Sequence, residues 1–89
     1  IVLVKPQFEV GRQRVGKGGV VRDPLAHRDA ITAVIEAANA VGWKPAGLVA
    51  SPLTGPAGNH EYLLWLTSLG EPQIESSVIE KVVSETLRD

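Results

Sequence analysis

The sequence predicts an α/β fold with the element order β-α-β-β-α and a mixed sheet in which one strand runs antiparallel to the others. Three observations carry this. The chain opens on "IVLV", an apolar run with no polar alternation, which reads as a strand covered on both faces. A single apolar stripe at helical spacing follows, between a clear start and a clear stop. Two further apolar segments are then joined by a loop too short for a crossover, so the third strand should reverse direction against the second.

Each element can be justified in order. Residues 1–5 form the first strand, and Lys5 stands at its carboxyl end. Residues 6–22, "PQFEVGRQRVGKGGVVR", read as a loop with four glycines. Asp23 is a good N-cap and Pro24 suits the first helical position. Ile31, Val34, Ile35, Ala38 and Val41 share one helical face, and Gly42 stands where a left-handed C-terminal cap belongs, so a helix is expected over 24–41. "GLVAS" (47–51) reads as a short strand, 52–60 as a turn-rich loop, and "EYLLWLT" (61–67) as a third strand. Gly70 and Pro72 break the chain. Ile74, Val78, Ile79, Val82, Val83 and Leu87 then make a second helical stripe, with Glu and Lys on the other face. A right-handed crossover from first to second strand would let the third slot between them.

With 89 residues the chain is one domain at most, and 44% hydrophobic and 21% charged residues suit a globular chain. The formal net charge of −1 points to no partner. There is no cysteine, which removes a disulfide framework and fits a reducing compartment; a cytoplasmic location is expected. No apolar stretch approaches the roughly 20 residues of a bilayer span, so no membrane partner is expected. The chain begins without methionine, inside what already reads as a strand. That predicts a piece of a longer α/β protein, with the first strand left as an open edge through which the fragment would self-associate.

Antiparallel pairing brings the carboxyl end of the first strand and the amino end of the third to one edge of the sheet. Lys5 and Glu61 would therefore meet there, where α/β sheets bind ligands. Two readings of that meeting stand side by side: a structural ion pair and a catalytic pair. Lys5, Arg12, Arg14, Lys17 and Arg22 put five of the nine basic residues in the first quarter of the chain, interleaved with glycines that let a backbone approach phosphates. That loop reads either as a polyanion contact or as a solvated loop. "GRQRVGKG" (11–18) is close to a nucleotide-binding P-loop, but Gly18 stands where Ser or Thr would hold magnesium and no helix follows at once. His27 and His60 have no partner at metal spacing and read as surface or capping residues, so no metal is expected. Ser51 lies outside any nucleophile-elbow context.

"LVKPQFEVGRQRVGKGGVVRDP" (3–24) and "SPLTGPAGNHEYLLWL" (51–66) closely resemble the TlyA (hemolysin A) family of FtsJ-like ribosomal RNA 2′-O-methyltransferases. Thr54 stands where that family often has proline, and Ala57 where serine is common. The resemblance implies the C-terminal part of a Rossmann-like methyltransferase fold that uses S-adenosylmethionine. It implies that Lys5 and Glu61 are the second lysine and the glutamate of a Lys-Asp-Lys-Glu tetrad. The other tetrad members, the cofactor loop and an S4-like RNA-binding domain would lie upstream. Residues 1–89 alone would then be inactive and bind no cofactor. Arg12, Arg14, Lys17 and Arg22 would lie on the RNA backbone of a cytidine-containing ribosomal target. The rival reading is a non-catalytic module that binds RNA or protein through the basic loop. Membrane lysis, suggested by the family's older name, finds no cationic amphipathic helix, since the tail is acidic.

Overall fold

The computed structural model describes residues 1–72 and 74–88. Strand β1 (Val2–Val4) is followed by a one-turn helix α1 (Pro6–Glu9), two short 3-10 turns, helix α2 (Pro24–Ala40), strand β2 (Lys44–Ala50), strand β3 (Tyr62–Thr67) and helix α3 (Ser76–Thr86). The sheet order is β1-β3-β2, and β3 pairs antiparallel with both neighbours. β3 slots between the other two, as the pattern of apolar segments predicts.

The register fixes two faces. Val4 lies opposite Tyr62, Val2 opposite Leu64, Leu48 opposite Leu64 and Ala50 opposite Tyr62, so these side chains share one face. Helices α2 and α3 cover it, and Val4, Ala30, Ile31, Leu48, Tyr62, Leu64, Ile79 and Val83 form the core. The other face, through Leu3, Leu63, Val49 and Trp65, has no cover among the described residues; Leu3 is 43% and Val49 44% exposed. The expectation that the opening run is buried on both faces is therefore corrected. An unbroken apolar run reports what a strand can tolerate on each side, not what this chain supplies there.

Several boundaries also differ from the expected ones. Lys5 leaves the sheet, because Pro6 cannot donate to a ladder and its fixed φ starts a helical turn. The Lys5 carbonyl accepts from the N–H groups of Phe8 (2.9 Å) and Glu9 (3.2 Å), so α1 occupies part of what reads as loop. β2 begins at Lys44 rather than Gly47. Pro45 is tolerated because β2 is an edge strand, and the pairing is irregular between Pro45 and Gly47. α2 ends at Ala40, one residue short of expectation. Its start is as predicted: the Asp23 carboxylate accepts from the Leu25 N–H (3.0 Å), with Pro24 first in the helix. Gly42 has φ 92°, the left-handed conformation expected after the helix.

Candidate active site at the edge of the sheet

Val4 pairs with Tyr62, so Lys5 follows the last paired residue of β1 and Glu61 precedes the first paired residue of β3. The two residues thus stand at the same rim, on the side where β1 ends and β3 begins. No ion pair within 4.0 Å joins them among the described residues. The Lys5 ammonium sits 5.7 Å from the centre of the Phe8 ring, a cation–π distance. Glu61 is 5% exposed, and one carboxylate oxygen accepts from Gln7 Nε2 at 2.8 Å. That bond sets the Gln7 amide orientation, since only its NH2 can donate to a carboxylate. Gln7 Oε1 is then left buried with no partner. An unsatisfied buried acceptor costs about 1–3 kcal/mol. Behind the carboxylate the chain passes so close at Gly55 that a Cβ there would overlap it, which leaves room for glycine alone.

The basic loop is fastened to this rim by side chains that sequence reading did not single out. Asn59 is 2% exposed; its Oδ1 accepts from the Val21 N–H (2.9 Å), and its Nδ2 donates to the carbonyls of Gly19 (2.8 Å) and Pro56 (3.2 Å). His27 is wholly buried, which corrects its expected surface or capping role. Its Nε2 lies 2.8 Å from the Val21 carbonyl and its Nδ1 2.8 Å from the Tyr62 hydroxyl. A carbonyl can only accept, so Nε2 carries the proton and Nδ1 accepts from Tyr62. Burial pushes the His27 pKa below the usual imidazole value, against the Val21 bond that favours the charged form. Burial likewise raises the Tyr62 phenol to about 12. Val21 is therefore held through both backbone groups, its N–H by Asn59 and its carbonyl by His27, which Tyr62 bonds in turn. The spacing Asn59-x-Glu61, a polar residue two before the candidate glutamate, was the available signal for Asn59. His27 gave none beyond its place on the inward face of α2.

The four basic residues of the loop are not equivalent. Arg12, Lys17 and Arg22 are exposed. Arg14 pairs with Asp29 at 2.7 Å and Asp23 at 3.7 Å, which ties the loop to the start of α2. That bonding raises the Arg14 pKa and lowers that of Asp29. His60 is exposed, beside the buried Glu61. Among the described residues no cluster of three or more His, Cys, Asp or Glu could hold a metal, and no helix is long and apolar enough to cross a membrane.

A reversed strand between two parallel ones fits a Rossmann-like methyltransferase sheet. Residues 1–68 match the FtsJ-like methyltransferase family model, and the chain belongs to that family. Over all 89 residues it is 43% identical to the 16S/23S rRNA (cytidine-2′-O)-methyltransferase TlyA of Mycobacterium tuberculosis, covering 33% of that protein. It is also 43% identical to a putative rRNA methyltransferase, YqxC, of Bacillus subtilis, covering 32% of it. The crystal structure of a putative hemolysin from Lactococcus lactis superposes with a TM-score of 0.82 at 41% identity, over 97% of this chain and 41% of that one. The chain thus spans about a third of the length of the curated relatives it matches.

Proposed function

We propose that residues 1–89 are the C-terminal portion of the methyltransferase domain of an S-adenosylmethionine-dependent enzyme that methylates the 2′-hydroxyl of a cytidine in ribosomal RNA. The observation that carries this reading is that Lys5 and Glu61 each stand one residue beyond the Val4–Tyr62 pair, at one rim of the sheet. Family membership and the relatives' names support it.

A ribose 2′-hydroxyl is a weak nucleophile that must be aimed and relieved of its proton. When bound, S-adenosylmethionine supplies an electrophilic methyl group. This chain's residues act on the hydroxyl side. Lys5 orients the hydroxyl, and a neutral lysine of the tetrad would take its proton as the ribose oxygen displaces the cofactor's sulfur from the methyl group. Glu61, held by Gln7, puts a carboxylate at the rim that Lys5 borders, without an ion pair between the two among the described residues. The orphaned Gln7 Oε1 offers an acceptor to a donor entering the rim. Arg12, Lys17 and Arg22 rest on the RNA backbone, while Arg14 also secures the loop's shape. No residue of this chain is assigned to the cofactor. The 89-residue chain alone is inactive, binds no S-adenosylmethionine, and self-associates through the unpaired edge of β1. The working location is the cytoplasm, where ribosomal RNA is.

The test is Lys5→Ala in the full-length protein, assayed for methyl transfer to ribosomal RNA and, separately, for cofactor binding. Lost transfer with intact cofactor binding is expected; near-normal turnover would remove Lys5 from the mechanism.

A further inference from the structure

The same edge of the sheet carries a second recess, on the helical side of the segment that contains Glu61. It is a cleft of about 550 Å³ whose polar wall comes from three segments far apart in sequence: Arg22 at the end of the basic loop, His60 one residue before Glu61, and Thr86 with Arg88 at the end of α3. The chain path explains the convergence. α3 follows β3, packs on α2 and β2, and returns its last residues to the edge where β3 begins. The tail is acidic along most of its length, yet it delivers an arginine here.

Among the described residues that line it, the charged side chains are Arg22 and Arg88, with no Asp or Glu. Arg14 is matched to Asp29 and Asp23, and Arg28 to Glu80 and Asp29, whereas the exposed Arg12 of the basic loop forms no such pair among the described residues. Among the described residues Arg22 and His60 form no such pair. Arg22 is also held in place, since its Nη1 lies close enough to Gly16 that a Cβ there would come within 2.8 Å of it, and the same nitrogen donates to the Val20 carbonyl at 3.4 Å. Two guanidinium groups gathered beside an imidazole, with no Asp or Glu among the described lining residues, repel one another and favour a bound anion. Guanidinium forks match phosphate oxygens, and a polar recess lacking an aromatic wall suits a backbone rather than a base.

We propose that this cleft is a phosphate-binding subsite that grips the RNA backbone beside the nucleotide presented to Lys5 and Glu61, with Arg22, His60 and Arg88 as its donors. The inference rests on the RNA methyltransferase reading above. In that setting the basic loop and the cleft hold the strand on two sides of residue 61. The reacting ribose is then positioned by contacts that carry no sequence information.

The test measures binding of single-stranded, cytidine-containing RNA to the full-length protein over a range of salt concentrations. Arg88→Gln keeps most of the side-chain stem at an exposed position, and circular dichroism checks its fold. It should weaken RNA binding about tenfold and flatten the slope of log affinity against log salt by about 0.7 to 1. Cofactor binding should stay unchanged. Arg22→Gln with Arg88→Gln should lose roughly twice that slope, whereas Lys44→Gln, at the opposite end of the sheet, should lose none. Wild-type binding with an unaltered affinity and slope in Arg88→Gln overturns the subsite and leaves the enzyme reading intact. A wild-type protein with no affinity for RNA overturns both.

Discussion

The two ends of β3 differ in what they keep out of water. At the amino end the chain buries Asn59 and Glu61, and Tyr62 reaches the buried His27; these are the buried polar and charged side chains among the described residues. At the carboxyl end Thr67 accepts a bond from the Leu69 N–H (3.2 Å), and Ser68, Leu69 and Gly70 are exposed. Burying polar groups costs free energy unless each finds a partner. One end is a simple exit from a sheet. The other concentrates that cost within four residues, Asn59 to Tyr62, and satisfies nearly all of it, with Gln7 Oε1 the exception. Among the described residues the chain holds polar groups dry and fixed at this rim.

The contrast can be broken most severely at the rim itself. Lys5→Ala in the full-length enzyme should lower methyl transfer by at least about a hundredfold, the scale of a lost acid–base or orienting group, whereas Thr67→Ala at the far end should leave it unchanged. Steady-state kinetics on ribosomal RNA read both. Asn59→Ala strips the Val21 N–H of its buried acceptor. It should cost about 1–3 kcal/mol in urea unfolding, against less than about 0.5 for Thr67→Ala. Equal losses from the two variants would erase the distinction between the ends.

A pH titration of stability sharpens the comparison further. The His27 pKa is lowered in the folded state, so the unfolded chain binds the proton first. Stability should therefore be complete above the unfolded imidazole value of about 6.5 and fall as pH drops below it, by at most about 1.4 kcal/mol per pH unit. The slope should vanish in His27→Gln. The Tyr62 phenol, raised to about 12, should cost stability as pH rises above 10.0. The smallest effect is expected beside the rim at Ala57, whose φ of 62° is one an alanine rarely adopts. Ala57→Gly should raise thermal stability by less than about 1 kcal/mol, since relief of strain is offset by chain entropy.

The main elements were legible because their signals are local or periodic. Asp23, Pro24 and Gly42 bound α2 through cap chemistry, and the apolar runs mark the strands. The rim was legible by topology: once β3 runs against β1, Lys5 and Glu61 must share an end. The interior of loop 6–22 was not legible. α1 depends on Pro6 turning the chain at the sheet, and the loop's shape depends on Asn59, 38 residues beyond the Val21 it holds, and on His27, whose ring bonds the distant Tyr62. Pro45 hid the start of β2, because a proline in a strand is acceptable only on an edge, and edge status is a property of the assembled sheet. The recess joining Arg22, His60 and Arg88 needs the full path of α3 before it exists.

The pairing of Lys5 with Glu61 is tested most directly by a double-mutant cycle on methyl transfer, with Lys5→Ala, Glu61→Gln and the combination in the full-length protein. Two groups that work as one unit predict a double variant scarcely slower than the worse single variant. Rate losses that simply multiply would show that the two side chains act independently and would contradict the account.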